Sequence, residues 1–217
     1  MHFTVDRAAP RKVYDILTGL VAPRPIALVT SMNEAGRIDA APFSAYNYLC
    51  SDPPIVALGI MSQPGGATVL KQTARNIRAR GEFVINVVTH DLSQAMNICA
   101  IDFPEGTDKL AMAGLETVAS DKVTVPRLRQ AHAALECIEY MTLAVGRGSI
   151  VLGQVVSMYV ADDFVDPAGP FVRAENLHAI GRMNGLGSYV RTQGAFMNMK
   201  RLTYEDWLAE KHPNQPA

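Results

Sequence analysis

The sequence predicts a mainly β fold, an antiparallel barrel interrupted by helices, and three observations carry that expectation. Two long runs rich in Val, Ile, Met and Tyr, at 135–145 and 150–160, flank the turn Gly146-Arg147-Gly148-Ser149, the pattern of a hairpin. The continuous apolar run Ile55-Val56-Ala57-Leu58-Gly59-Ile60-Met61 suits a central strand covered on both faces. Helices fall in a group between the third predicted strand and the later ones. Six or seven strands so interrupted do not fit a regular βαβ alternation and fit a closed barrel.

Taken in order, residues 11–19 predict a short helix with Val13, Ile16 and Leu17 on one face, stopped by Gly19. The prolines of Ala22-Pro23-Arg24-Pro25 force an extended entry into a first strand ending in the hydroxyls Thr30 and Ser31. The turn Asn33-Glu34-Ala35-Gly36 leads back through small residues to Pro42, which has no N–H to give a ladder. Asp52-Pro53-Pro54 breaks the chain before the apolar run. Gln63-Pro64-Gly65-Gly66 predicts a turn, and a helix follows over 67–80, closed by Gly81 with basic residues in its last turn. A strand at 83–88, a helix at 90–101 with Met96 and Cys99 inward, and a short helical piece at 109–113 precede the long hairpin. Thr203 and Asp206 read as a capping box opening a last helix.

Composition bounds what the chain does. With 217 residues, 48% hydrophobic and 19% charged, it has the makings of a buried core and of one domain, with residues 1–20 and the helix at 203–212 as extensions. A net charge of −1 gives no electrostatic case for nucleic acid, and no apolar run approaches the length of a membrane span. Three scattered cysteines read as reduced, buried small side chains of a cytoplasmic protein. No His or Cys pair has metal-ligand spacing, so no metal is expected. Neither a nucleophile elbow nor a phosphate-binding P-loop is present, and Gly185-Leu186-Gly187 lacks the third glycine of a dinucleotide fingerprint. No residue is therefore singled out as catalytic.

Two features point to a ligand. A hairpin ending in small residues and hydroxyls at 39–46 leaves backbone N–H groups beside polar side chains, which suits an anionic, planar molecule. On the 67–80 helix, Thr73 and Asn76 stand on the stripe of Leu70 and Ile77 where a core-facing helix carries aliphatics. Such a pair either bonds a nearby loop or, with Lys71 adding charge, holds a phosphate.

Pro23-Arg24-Pro25-Ile26-Ala27-Leu28-Val29-Thr30-Ser31, then Ala41-Pro42-Phe43-Ser44 with Tyr46, then Lys71, Thr73, Asn76 and Ile77, together resemble the flavin reductase-like, FMN-binding split-barrel family, in particular its flavoredoxin-like branch. The resemblance spans about residues 10 to 195. It implies a six-stranded Greek-key split barrel that forms a homodimer with FMN at the interface. It implies an NAD(P)H-dependent flavin reductase, with NAD(P)H as small-molecule substrate and a partner oxygenase receiving reduced flavin. The alternative is a tightly bound FMN electron carrier reduced by a ferredoxin-like protein. Carried onto this chain, Thr30 and Ser31 approach the ribityl or phosphate region, and Ala41, Pro42, Phe43 and Ser44 lie along the ring. Lys71, Thr73 and Asn76 take the phosphate, and Arg182 and Tyr189 lie near the flavin or the partner subunit. One departure favours the carrier: a branch of the family has Gly-Asp-His before the late barrel strand, where this chain has Arg147-Gly148-Ser149.

Overall fold

The structure, a computed structural model, describes residues 1–5, 9–62, 70–104, 106–185, 187–199 and 201–211. Its helices are α1 (Pro10–Leu20), α2 (Gln72–Arg80), α3 (Ser93–Cys99), α4 (Lys109–Met112), α5 (Ala174–Leu177) and α6 (Tyr204–Lys211). The first five strands are β1 (Ala27–Met32), β2 (Ile38–Phe43), β3 (Tyr46–Ser51), β4 (Pro54–Met61) and β5 (Glu82–Val87). They are followed by β6 (Thr117–Val118), β7 (Arg127–Leu128), β8 (Ala133–Val145), β9 (Gly148–Val160), β10 (Ile180–Arg182) and β11 (Tyr189–Arg191).

Seven strands form one sheet in the order β2-β1-β5-β8-β9-β4-β3, with every neighbouring pair antiparallel. β2 and β3 are its two edges, yet only Ser44 and Ala45 separate them in the chain. The sheet must therefore curl until its edges meet at that bend. The Gly59 N–H donates to the Ala45 carbonyl at 2.7 Å and fastens the bend to β4. Val29, Phe43, Leu58, Ile85, Cys137 and Val151, from six different strands, share one buried cluster, as a closed wall requires. This is a mainly β split barrel. The sheet carries seven strands because the segment after the first turn breaks at Ser44 into β2 and β3; the aromatic alternation of Tyr46 and Tyr48 is the local signal for the second of these.

Local chemistry explains most element ends. Asn33 closes the first turn: its side-chain oxygen accepts the Arg37 N–H and its carbonyl accepts the Gly36 N–H, with Gly36 at φ 81°. Gly81 ends α2 in the left-handed conformation. Thr203 and Asp206 exchange side-chain-to-backbone bonds of 3.1 and 3.2 Å, the expected capping box. The second layer is made by α3 and α4, whose Met96 and Leu110 pack with Leu28 and Ala40 on the outer face of β1 and β2.

Several expectations shift. The turn at 63–66 and the first residues of the predicted 67–80 helix lie outside the described residues, and the described helix starts at Gln72, so Lys71 is its N-cap in extended conformation. α3 starts at Ser93 because Leu92 and Ser93 bond back to Thr89 and His90 as a turn. None of the α1 residues is buried, and Leu17 is exposed instead of facing a core. Cys99 and Cys137 are buried as predicted, whereas Cys50 is half-exposed. All three are free thiols.

Candidate functional site

The 42–44 bend and the β10–β11 ribbon face each other across a cavity of about 1020 Å³, a volume that suits a cofactor-sized ligand. Long-range backbone pairing brings them together. Arg24, at the entry to β1, and Arg182 exchange both main-chain hydrogen bonds at 2.9 Å. That bridge seats the ribbon beside the barrel edge, although Pro42 and Arg182 are far apart in the chain. Opposite Arg182 in the ribbon stands Tyr189. The Arg182 guanidinium lies over the Tyr189 ring, 4.7 Å from its centroid, and donates to the Tyr189 hydroxyl. Its Nε donates to the Asn184 carbonyl at 2.9 Å. A cation held this way is preorganised on the wall and needs little reordering to meet a ligand.

Three further elements complete the cavity. α1 contributes Tyr14, α3 contributes Ser93, Gln94 and Asn97, and the turn before α3 contributes His90. Arg191 stands exposed on the same lining; among the described residues its side chain has no hydrogen bond or ion pair. Among the described lining residues none is a carboxylate. Aromatic faces, neutral amides and two guanidiniums together suit a planar anion.

Of the residues singled out from sequence, Pro42, Phe43, Ser44, Arg182 and Tyr189 line this one cavity. Ala41 packs against the barrel core instead. The hydroxyls of Thr30 and Ser31 do not form one site, because strand alternation sends them to opposite faces. Thr30 donates to the Pro126 carbonyl at 2.7 Å, while Ser31 accepts from the Asn76 amide at 3.0 Å. Asn76 accepts in turn from the Gln72 amide at 2.7 Å, so this buried polar residue on the α2 stripe is satisfied within the protein. Thr73 is buried beside it and Lys71 is exposed.

Asn76 lines a second cavity of about 610 Å³, beside Arg37 and the Asp39–Lys109 ion pair of 3.0 Å. Ser31 pairs with Asp39, and Ser44 lies five residue steps beyond Asp39, roughly 16 Å at the usual rise. The structure therefore places Asn76 and Ser44 on separate cavities, where the sequence reading joined them through one nucleotide. The two lie close in the fold nonetheless, because α2 packs on β1 and β2 and Ser44 directly follows β2.

Tyr14, Arg24, His90, Gln94, Asn97 and Arg191 escaped the sequence reading. Gln94 and Asn97 had a readable signal, polar positions three apart on a helix that buries Met96 and Cys99. Near the bend, burial pushes the Tyr46 hydroxyl up to about 12, with a smaller contribution from Cys137.

Residues 20–177 match the family described as Flavin reductase like domain. The chain belongs to that family. Among solved structures, nitrilotriacetate monooxygenase component B from Bacillus cereus is similar at a TM-score of 0.82 and 25% identity, covering 93% of this chain and 99% of that one. The 2-nitrobenzoate 2-nitroreductase NbaA of Pseudomonas fluorescens gives 0.78 and 32%, covering 93% and 95%. The NADH:riboflavin 5'-phosphate oxidoreductase of Streptomyces pristinaespiralis is 27% identical over 161 residues, 74% of this chain and 81% of that one. In this flavin reductase like protein the matched span runs from 20 to 177, so Tyr14 before it and the ribbon carrying Arg182 and Tyr189 after it both lie outside.

Proposed function

We propose that the protein binds FMN in the cavity between the 42–44 bend and the β10–β11 ribbon and reduces it with NADH or NADPH. The observation that carries this reading is the convergence of Pro42, Phe43 and Ser44 with Arg182 and Tyr189 on one cavity whose described lining residues include no carboxylate. When bound, the flavin supplies the redox chemistry through its own ring electronics. The chain's residues have simpler work. The Ser44 hydroxyl and the Gln94 and Asn97 amides offer hydrogen bonds to the polar edge of a ring, Tyr14 and Tyr189 offer flat apolar surface, and Arg191 offers its charge to the phosphate. Arg182, fixed by two carbonyls and the Tyr189 hydroxyl, sets a positive charge against negative charge on the ligand. No acid–base triad is needed, in keeping with the lining. In this reading Lys71, Thr73 and Asn76 are not the phosphate site.

Two partners belong to the same reading. A second copy of the chain covers the apolar face of the outer half of β8, where Tyr140, Met141, Leu143 and Val145 are exposed. An oxygenase receives the reduced flavin, a role supported by the similarity to component B of a monooxygenase. A second reading, an FMN electron carrier reduced by a protein partner, is favoured by the β8–β9 turn, which presents Arg147 and no histidine.

Oxidation of NADH and NADPH by the purified protein with added FMN tests the first reading. Turnover with either donor supports it. Retained yellow flavin that only a ferredoxin-like donor reduces supports the second, and failure to take up FMN overturns both.

A further inference from the structure

We propose that Arg24 is a positioning residue that holds three walls of the cavity together and thereby sets flavin affinity without lining the cavity itself. The inference takes its ligand from the flavin reading above, but its geometry stands apart. One Arg24 terminal nitrogen donates to the Thr18 carbonyl at 2.6 Å and to the Val21 carbonyl at 2.7 Å, at the C-terminal end of α1. Its other terminal nitrogen reaches the Asn184 carbonyl at 3.5 Å, and its Nε the Ser44 hydroxyl at 3.5 Å. The two short bonds hold and the two long ones orient.

Each element reached carries one wall of the cavity: Tyr14 on α1, Ser44 in the bend, and Gly185 next to Asn184. The clamp matters because α1 buries no residue of its own. Its last carbonyls lack partners within the helix, and an arginine is suited to take them. The second hold on α1 is a close approach: a Cβ on Gly185 would stand 2.7 Å from Tyr14 Cε1 and 3.2 Å from Asp15 Oδ1. With the Arg24–Arg182 backbone bridge added, one half-buried planar cation fixes how α1 and the ribbon meet the barrel edge. A lysine cannot copy donors pointing in three directions.

FMN titration of Arg24→Ala and Arg24→Lys, with steady-state kinetics, tests this. Both variants are expected to weaken FMN binding by about tenfold or more, while kcat at saturating FMN stays within about twofold of wild type. Added guanidinium ion restores affinity to Arg24→Ala and not to Arg24→Lys. Hydrogen exchange without flavin rises together in α1, at the bend and around Asn184. Unchanged affinity and exchange, or a fall in kcat at unchanged affinity, overturns the proposal. Should Arg24→Ala fail to fold, Arg24→Lys decides on the same readouts. A wild-type protein that binds no FMN defeats the flavin reading alone, and exchange then decides the role of Arg24.

Discussion

Asn76 shows how a single residue can be noticed in the sequence while its partner stays out of sight there. An amide on the buried stripe of α2 demanded a hydrogen-bonding explanation, and the sequence could not say whether a ligand or the protein supplied it. Ser31 and Gln72 supply it here. Asn76→Ala therefore costs stability, about 1–3 kcal/mol in urea unfolding, and leaves FMN affinity within about twofold. Thr30 teaches the same lesson, since its acceptor, the Pro126 carbonyl, lies 96 positions away. The buried thiols give a pH dependence. Burial pushes Cys99 from its ordinary 9.0 up to about 11, with Lys109 opposing, and burial also raises Cys137. The folded state then favours the neutral thiol. That contribution is complete below the ordinary thiol value and is lost as pH climbs through the folded one. Urea midpoints should fall between pH 9 and 11, and Cys99→Ala should flatten part of the fall.

At the scale of elements, the long hairpin was legible because Val, Ile and Tyr runs and a glycine turn are local signals. The observed β8 and β9 each begin two residues before the predicted starts and end where predicted. The ribbon of β10 and β11 was not legible, since three-residue strands carry no periodicity and their seating depends on a bridge to Arg24. α1 illustrates the reverse case: its amphipathic spacing is clear, yet the barrel offers that face no core. The junction of β5, β8 and β9 supplies a sharp test. A Cβ on Gly153 would lie 2.4 Å from Cζ of Phe83, a fully buried ring, and 3.3 Å from the Cys137 Cβ. Gly153→Ala should destabilise the protein by about 3 kcal/mol through overpacking. An unchanged unfolding midpoint would mean that the ring has room to move.

For the whole molecule, the fold class followed from strand pattern, while the cavity did not. Its two sides come from positions on either side of the long hairpin, and only the curl of the sheet makes them neighbours. The motifs singled out residues of the bend and ribbon that line one cavity, without showing that Asn76 of α2 stands on another. The exposed apolar stripe on β8 is a face that a second copy would cover, since Tyr140, Leu143 and Val145 each leave roughly half their area in water. Sedimentation equilibrium should find a dimer, and Leu143→Glu should shift it to monomer by burying a charge in the contact. A monomeric wild-type protein would contradict the assignment of that face.

The most direct measurement is an equilibrium FMN titration, followed by flavin fluorescence, of wild type beside Arg182→Ala. If the bend and the ribbon hold one flavin, wild type binds and the variant binds about tenfold more weakly or worse. Equal affinity in the two proteins would place the flavin elsewhere on the barrel and contradict the account.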